Sequence, residues 1–181
     1  MTMNIEKWFE DVNRYDVVSE AIEFCDPALP KSIDAFEIEF SVSVPELRSI
    51  WLVADGESGG SEGILGGFSL FSIEDSRDSI QNNFSILQDD KSFRELKFDT
   101  FLGKTSIFEI GWIPFAGLFN RNLLILDARD ESSRSVFEWS LETGPDRLIG
   151  KSLFDFLESV RNQLLSHDDI LDLDILKKLD G

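Results

Sequence analysis

Residues 108–139 read FEIGWIPFAGLFNRNLLILDARDESSRSVFEW, and this stretch decides the fold. Phe108–Phe115 mixes aromatic and β-branched residues, Asn120-Arg121-Asn122 is a polar turn, and Leu123–Leu126 is a short apolar run. Asp127–Ser133 is charged and turn-like, and Val136, Phe137 and Trp139 mark the next apolar segment. Short β-prone runs divided by polar turns predict an antiparallel meander. Gly144-Pro145 punctuates its end.

Helical spacing governs the chain on the N-terminal side. Ile5, Trp8, Phe9 and Val12 fall on one face of a helix that ends near Arg14 or Tyr15. A short turn over Ser19–Phe24 precedes Pro27 and Pro30, which break the chain. A helix follows over Ser32–Phe40, with Ser32 as cap and Ile33, Phe36 and Phe40 inward. Pro45 suits the first position of the next helix, Glu46 suits its dipole, and Leu47, Ile50, Trp51 and Ala54 form its inner face. Gly56 is the expected stop.

Gly56–Gly67 holds six glycines with Glu57 and Glu62 between them, which predicts a flexible loop. Phe68, Leu70 and Phe71 suggest a strand, followed by a polar turn or short helix over Ile73–Ile80. Phe84, Ile86 and Leu87 read as a strand, and Phe93, Leu96 and Phe98 as an extended or helical piece. Beyond the meander, Ser152-Leu153-Phe154-Asp155 is a capping box, and Leu153, Leu157, Val160 and Leu164 share a helix face. Ser166-His167-Asp168-Asp169 resembles a second box opening a last helix towards Lys177 and Lys178. Helices, a sheet and helices again predict an α+β fold, a mainly antiparallel sheet flanked by N- and C-terminal helices. One domain over 1–181 is expected, with a core at about 32–165, a helical extension at 1–30 and a closing helix at 166–181.

The chain carries 35 acidic against 17 basic side chains, a formal charge of -18, yet it is 42% hydrophobic with 16 Phe and 4 Trp. That much apolar material builds a core, so the charge must lie largely on a folded surface. Such a surface disfavours nucleic acid and anionic membranes and attracts basic partners. Half of the excess, net -9, falls in residues 1–60. The single Cys25 permits no internal disulfide, the first ten residues do not read as a signal peptide, and no run suffices for a spanning helix. A soluble cytoplasmic protein is expected.

No catalytic or metal-binding constellation emerges. One His and one Cys make a zinc site unattractive, and Asp168, Asp169, Asp172 and Asp174 read as a solvated stripe. His167 reads as a surface residue and Cys25 as buried filler. Gly103-Lys104-Thr105 ends like a phosphate loop, but Phe98 stands where the motif requires glycine. The glycine run lacks dinucleotide spacing, and its carboxylates would repel phosphates. No cofactor is expected, and the chain is read as no enzyme.

Two stretches resemble a known family. The first runs from Ile33-Asp34-Ala35-Phe36-Glu37 through Val44-Pro45-Glu46-Leu47 to Ile50-Trp51 and Asp55-Gly56. The second comprises Ile113-Pro114-Phe115-Ala116, Leu124–Asp127, Val136-Phe137-Glu138-Trp139 and the helix Leu153–Leu164. Together they resemble the SUKH superfamily, which contains fungal cell-wall-synthesis regulators and bacterial immunity proteins. Val44 replaces the usual Leu before Pro45, and Asn120-Arg121-Asn122 stands where the family commonly has a glycine-rich turn.

The resemblance implies a protein-binding role without catalysis, the leading form being an immunity protein that neutralises a basic toxin such as a nuclease. Asp55, Glu57 and Glu62 on the glycine loop, with Asn120 and Asp127 on the meander, are the candidate partner-binding residues, each otherwise an ordinary solvated turn residue. Trp51 and Trp112 are expected in the core. The alternative is a regulatory scaffold in cell-envelope or signalling assemblies, and an enzyme with converging carboxylates stands third. Leu171, Ile175 and Leu179 would pack on the body or on a second copy, leaving monomer and homodimer both open.

Overall fold

The computed structural model describes residues 3–15, 18, 22–58, 63–89, 111–118, 122–129, 134–140 and 144–166, with side chains of the helix at 73–89 described to residue 82. Among these, the order is α1 (Ile5–Val12), α2 (Pro30–Phe40), α3 (Pro45–Trp51), β1 (Ser69–Leu70), α4 (Ile73–Asp89), β2 (Trp112–Leu118), β3 (Asn122–Asp127), β4 (Val136–Ser140), β5 (Gly144–Gly150) and α5 (Leu153–Leu164). The expected α+β fold is what the chain adopts. The five strands follow one another across the sheet in sequence order, every pair antiparallel.

The register explains the two faces of the meander. Leu126 pairs with Ile113 and Val136, while Leu124 pairs with Ala116 and Glu138. Ile113, Ala116, Leu124, Leu126 and Val136 belong to the main apolar core together with residues of all five helices. The alternate residues Trp112, Leu123, Ile125, Phe137 and Trp139 point to the other face and are also buried. Trp112 and Phe137 meet there edge to face at 5.0 Å. Trp51 and Trp112 are both core residues, as the sequence suggested.

The helices form where apolar spacing and caps agree. In α1, Ile5, Trp8, Phe9 and Val12 are buried, and the Asn4 side chain accepts from Lys7 N–H at 3.0 Å. Trp8 donates its indole N–H to the Leu157 carbonyl at 2.8 Å, and Arg161 pairs with Asp11 at 3.3 Å, so the N-terminal helix is joined to α5. In α5, the Ser152 hydroxyl accepts from Asp155 N–H at 3.1 Å.

Several boundaries differ from the sequence reading. Helix α2 begins at Pro30, with Leu29 rather than Ser32 as its N-cap, because proline fits a first turn whose N–H groups have no intrahelical partner. Helix α3 ends at Trp51, well before Gly56. The segment at Phe84, Ile86 and Leu87 continues α4 instead of forming a strand. That helix opens on a reciprocal box: Asp75 N–H donates to the Ser72 hydroxyl at 3.0 Å, and Ser72 N–H donates to the Asp75 carboxylate at 3.1 Å. Gly144-Pro145 opens β5, opposite Ser140 and Trp139, rather than closing the sheet. Asp127 is the last residue of β3 and not part of the following turn. The expectations for 19–21, 90–110 and 167–181 lie outside the described residues.

Candidate partner-binding surface

The glycine-rich region is a hydrogen-bonded knot of three segments. Cys25 N–H donates to Gly56 O at 3.0 Å, Ser58 N–H to Glu23 O at 2.8 Å, and Glu57 N–H to Leu70 O at 3.1 Å. Gly67 N–H turns back onto Gly63 O at 2.9 Å. Gly63 itself must lack a side chain, since a Cβ there would lie 2.1 Å from the Phe68 carbonyl carbon. Gly56 adopts φ +86°, where its own Cβ would strike the Phe71–Ser72 backbone.

Glu57 serves this knot from within. Its carboxylate accepts from Leu70 N–H at 2.9 Å and from Ile64 N–H at 3.3 Å. Burial raises its pKa to about 7, against the opposing pull of those two N–H donors. Asp55 is half-buried and accepts from Ile73 N–H at 2.8 Å, tying the loop to the start of α4. Burial raises its pKa, the Ile73 bond lowers it, and Asp75 raises it further.

Asp127 is buried on β3 and clasped by Arg129, whose Nε donates to it at 2.7 Å. The same guanidinium lies 5.1 Å from the centroid of Trp112, the cross-strand neighbour of Asp127. Glu57 and Asp127, expected as solvated turn residues facing a partner, therefore point inward and stabilise the chain's own backbone and sheet. Glu62 and Asn120 lie outside the described residues. Of the three described candidates, Asp55 stands nearest to an open acidic surface.

That surface surrounds Cys25. The thiol is half-buried rather than buried filler, and its pKa is raised by burial first and then by Asp55, Asp75, Glu23 and Asp26. A thiol so placed stays protonated at neutral pH and is a poor nucleophile. Glu23, Asp26 and Asp75 are exposed, and among the described residues none of the three is in an ion pair. The sequence reading missed them because they lie in two segments, about fifty residues apart, that only the fold brings together. Several acids elsewhere are neutralised locally: Arg48 bridges Asp34 and Glu37, Arg77 holds Glu39 at 2.8 Å, and Arg147 holds the buried Glu138 at 2.9 Å.

Among the described residues no group of three or more His, Cys, Asp and Glu side chains is arranged to hold a metal ion. No described helix is long and apolar enough to cross a membrane. The whole is an α+β domain of SUKH type, with a meander backed by helices and a carboxylate surface where those helices meet the glycine loop. The SMI1 / KNR4 family (SUKH-1) model matches residues 27–159, and the chain belongs to that family. No curated protein matches it.

Proposed function

We propose that this chain is a non-catalytic protein-binding module, an immunity protein that neutralises a basic bacterial toxin such as a nuclease. The observation that carries this reading is the set of carboxylates around Cys25, left without cationic partners among the described residues on a domain of this family. A toxin that acts on nucleic acid presents cations for phosphate, and an acidic inhibitor covers that surface after fast, electrostatically steered encounter. Asp55 belongs to this partner surface, and Glu57 supports it from within the knot.

The test is to express the chain with the basic protein encoded beside its gene and follow association by calorimetry at low and high salt. Tight binding that weakens with salt, and that weakens again in a Glu23→Lys, Asp26→Lys double variant, supports the reading. Absence of association at low salt ends it. A regulatory scaffold is the second reading, favoured by the exposed apolar residue Ile38 (79% exposed) on the outer side of α2. Such a scaffold would engage several partners and have no toxin gene beside it.

A further inference from the structure

A groove of about 550 Å³ opens between the N-terminal end of α1, helix α3 and the first turn of α5. Its apolar wall comes from Met3, Leu52, Val53 and Phe154, and Leu52 is 41% exposed although it continues a buried helix. Among the described lining residues, Glu6 and Glu46 are the only charged ones. Glu46 faces Arg134 at 3.3 Å, whereas Glu6 has no ion pair among the described residues. Of the bordering helix ends, Asn4 caps α1 and Ser152 caps α5, while α3 opens on Pro45 without a side-chain cap.

We infer that the groove seats a segment of a partner protein that presents one or two large apolar side chains next to a Lys or Arg. The volume lies within the roughly 300–1,000 Å³ of ligand-sized clefts. Covering Leu52, Val53 and Phe154 removes apolar surface from water, which drives association without regard to charge. Charge then selects the occupant. An anionic segment meets the Glu6 carboxylate, a neutral apolar one leaves Glu6 facing a dry contact, and a cationic apolar one satisfies both wall and rim. The groove shares no residue with the carboxylates around Cys25, so it supplies the apolar anchoring that an acidic patch lacks.

This rests on the reading of the chain as a module for a basic protein, and the experiment separates the two. The full isotope-labelled chain is titrated, with amide shifts followed by NMR, against an amphipathic Leu/Lys peptide and a Ser/Lys peptide of equal charge. The Leu/Lys peptide is expected to move Met3–Glu6, Ser49–Val53 and Phe154, and the Ser/Lys peptide to leave them in place. Leu52→Asn should weaken the Leu/Lys peptide about tenfold and Glu6→Lys about threefold, both being exposed positions that leave the core intact. Equal shifts from both peptides, shifts centred on Cys25, or unchanged affinity in both variants would overturn the inference. If the neighbouring basic protein binds wild type and both variants alike, the groove is wrong and the functional reading stands. If it binds none of them while the Leu/Lys peptide still fills the groove, the functional reading fails and the groove stands.

Discussion

The meander and the glycine knot are held by different balances of forces. In β2–β4, alternate side chains leave the sheet in opposite directions and nearly all are buried, so packing on two faces fixes the register. The knot at 22–28, 55–58 and 63–73 also buries apolar side chains, among them Ile64, Leu65, Phe68 and Leu70. Backbone bonds between its segments, glycines that allow close approach and the half-buried Glu57 carboxylate add to that packing. Apolar surface organises the first region, and the second joins polar satisfaction to it. The second also presents the acidic surface, where Glu23, Asp26 and Asp75 have no ion pair among the described residues.

Substitutions can break this contrast in a definite order. Gly63→Ala should cost upward of about 4 kcal/mol, because the methyl group would overlap backbone that no rotamer change can move. Chemical denaturation checks it, and a near-neutral result would mean that the knot is loose. Leu124→Ala, in the centre of the sheet, should cost about 3 kcal/mol through lost burial and the cavity left behind.

Glu57→Gln should act through pH. The carboxyl has an ordinary value of 4.5 and about 7 in the fold, so folding favours its protonated form. Its contribution is complete below about pH 4.5 and is lost as the pH rises through about 7, on the order of 2 kcal/mol once partial exposure is allowed for. Subtracting the variant's stability from that of wild type at each pH should give a difference that falls across this window. A flat difference would place the carboxylate in water. The smallest effect is expected for Ser152→Ala, about 1 kcal/mol from the lost α5 cap, measured by thermal unfolding.

How much of this was legible varies along the same contrast. Trp8, Phe9 and Val12, or Leu124 and Leu126, announce themselves because burial imposes a period of 3.6 or 2 on the sequence. Strand β5 escaped notice because GPDRLIG combines turn formers with a salt-bridging Arg147, and bulges in its pairing with β4 absorb the irregularity. The apolar run at Phe84, Ile86 and Leu87 was too short to separate strand from helix, whereas the Ser72–Asp75 box upstream would have favoured the longer α4. Glu57 and Asp127 looked like surface acids because charge has no signature of direction. A Glu beside a glycine-rich turn, where backbone N–H groups such as those of Ile64 and Leu70 need an acceptor, was the available clue for the first, and Arg129 two residues on for the second. Glu23, Asp26 and Asp75 had no such clue, since their proximity arises only from folding.

The borders of the described sheet bear on how this protein meets others. One border strand, β1, is two residues long, and the other, β5, carries Pro145 and the neighbouring charges of Asp146 and Arg147. Neither gives an incoming strand a regular ladder to extend. Blunt borders keep the described sheet from zipping onto copies of itself. For the protein binding proposed above, they leave recognition to side chains on loops and helices.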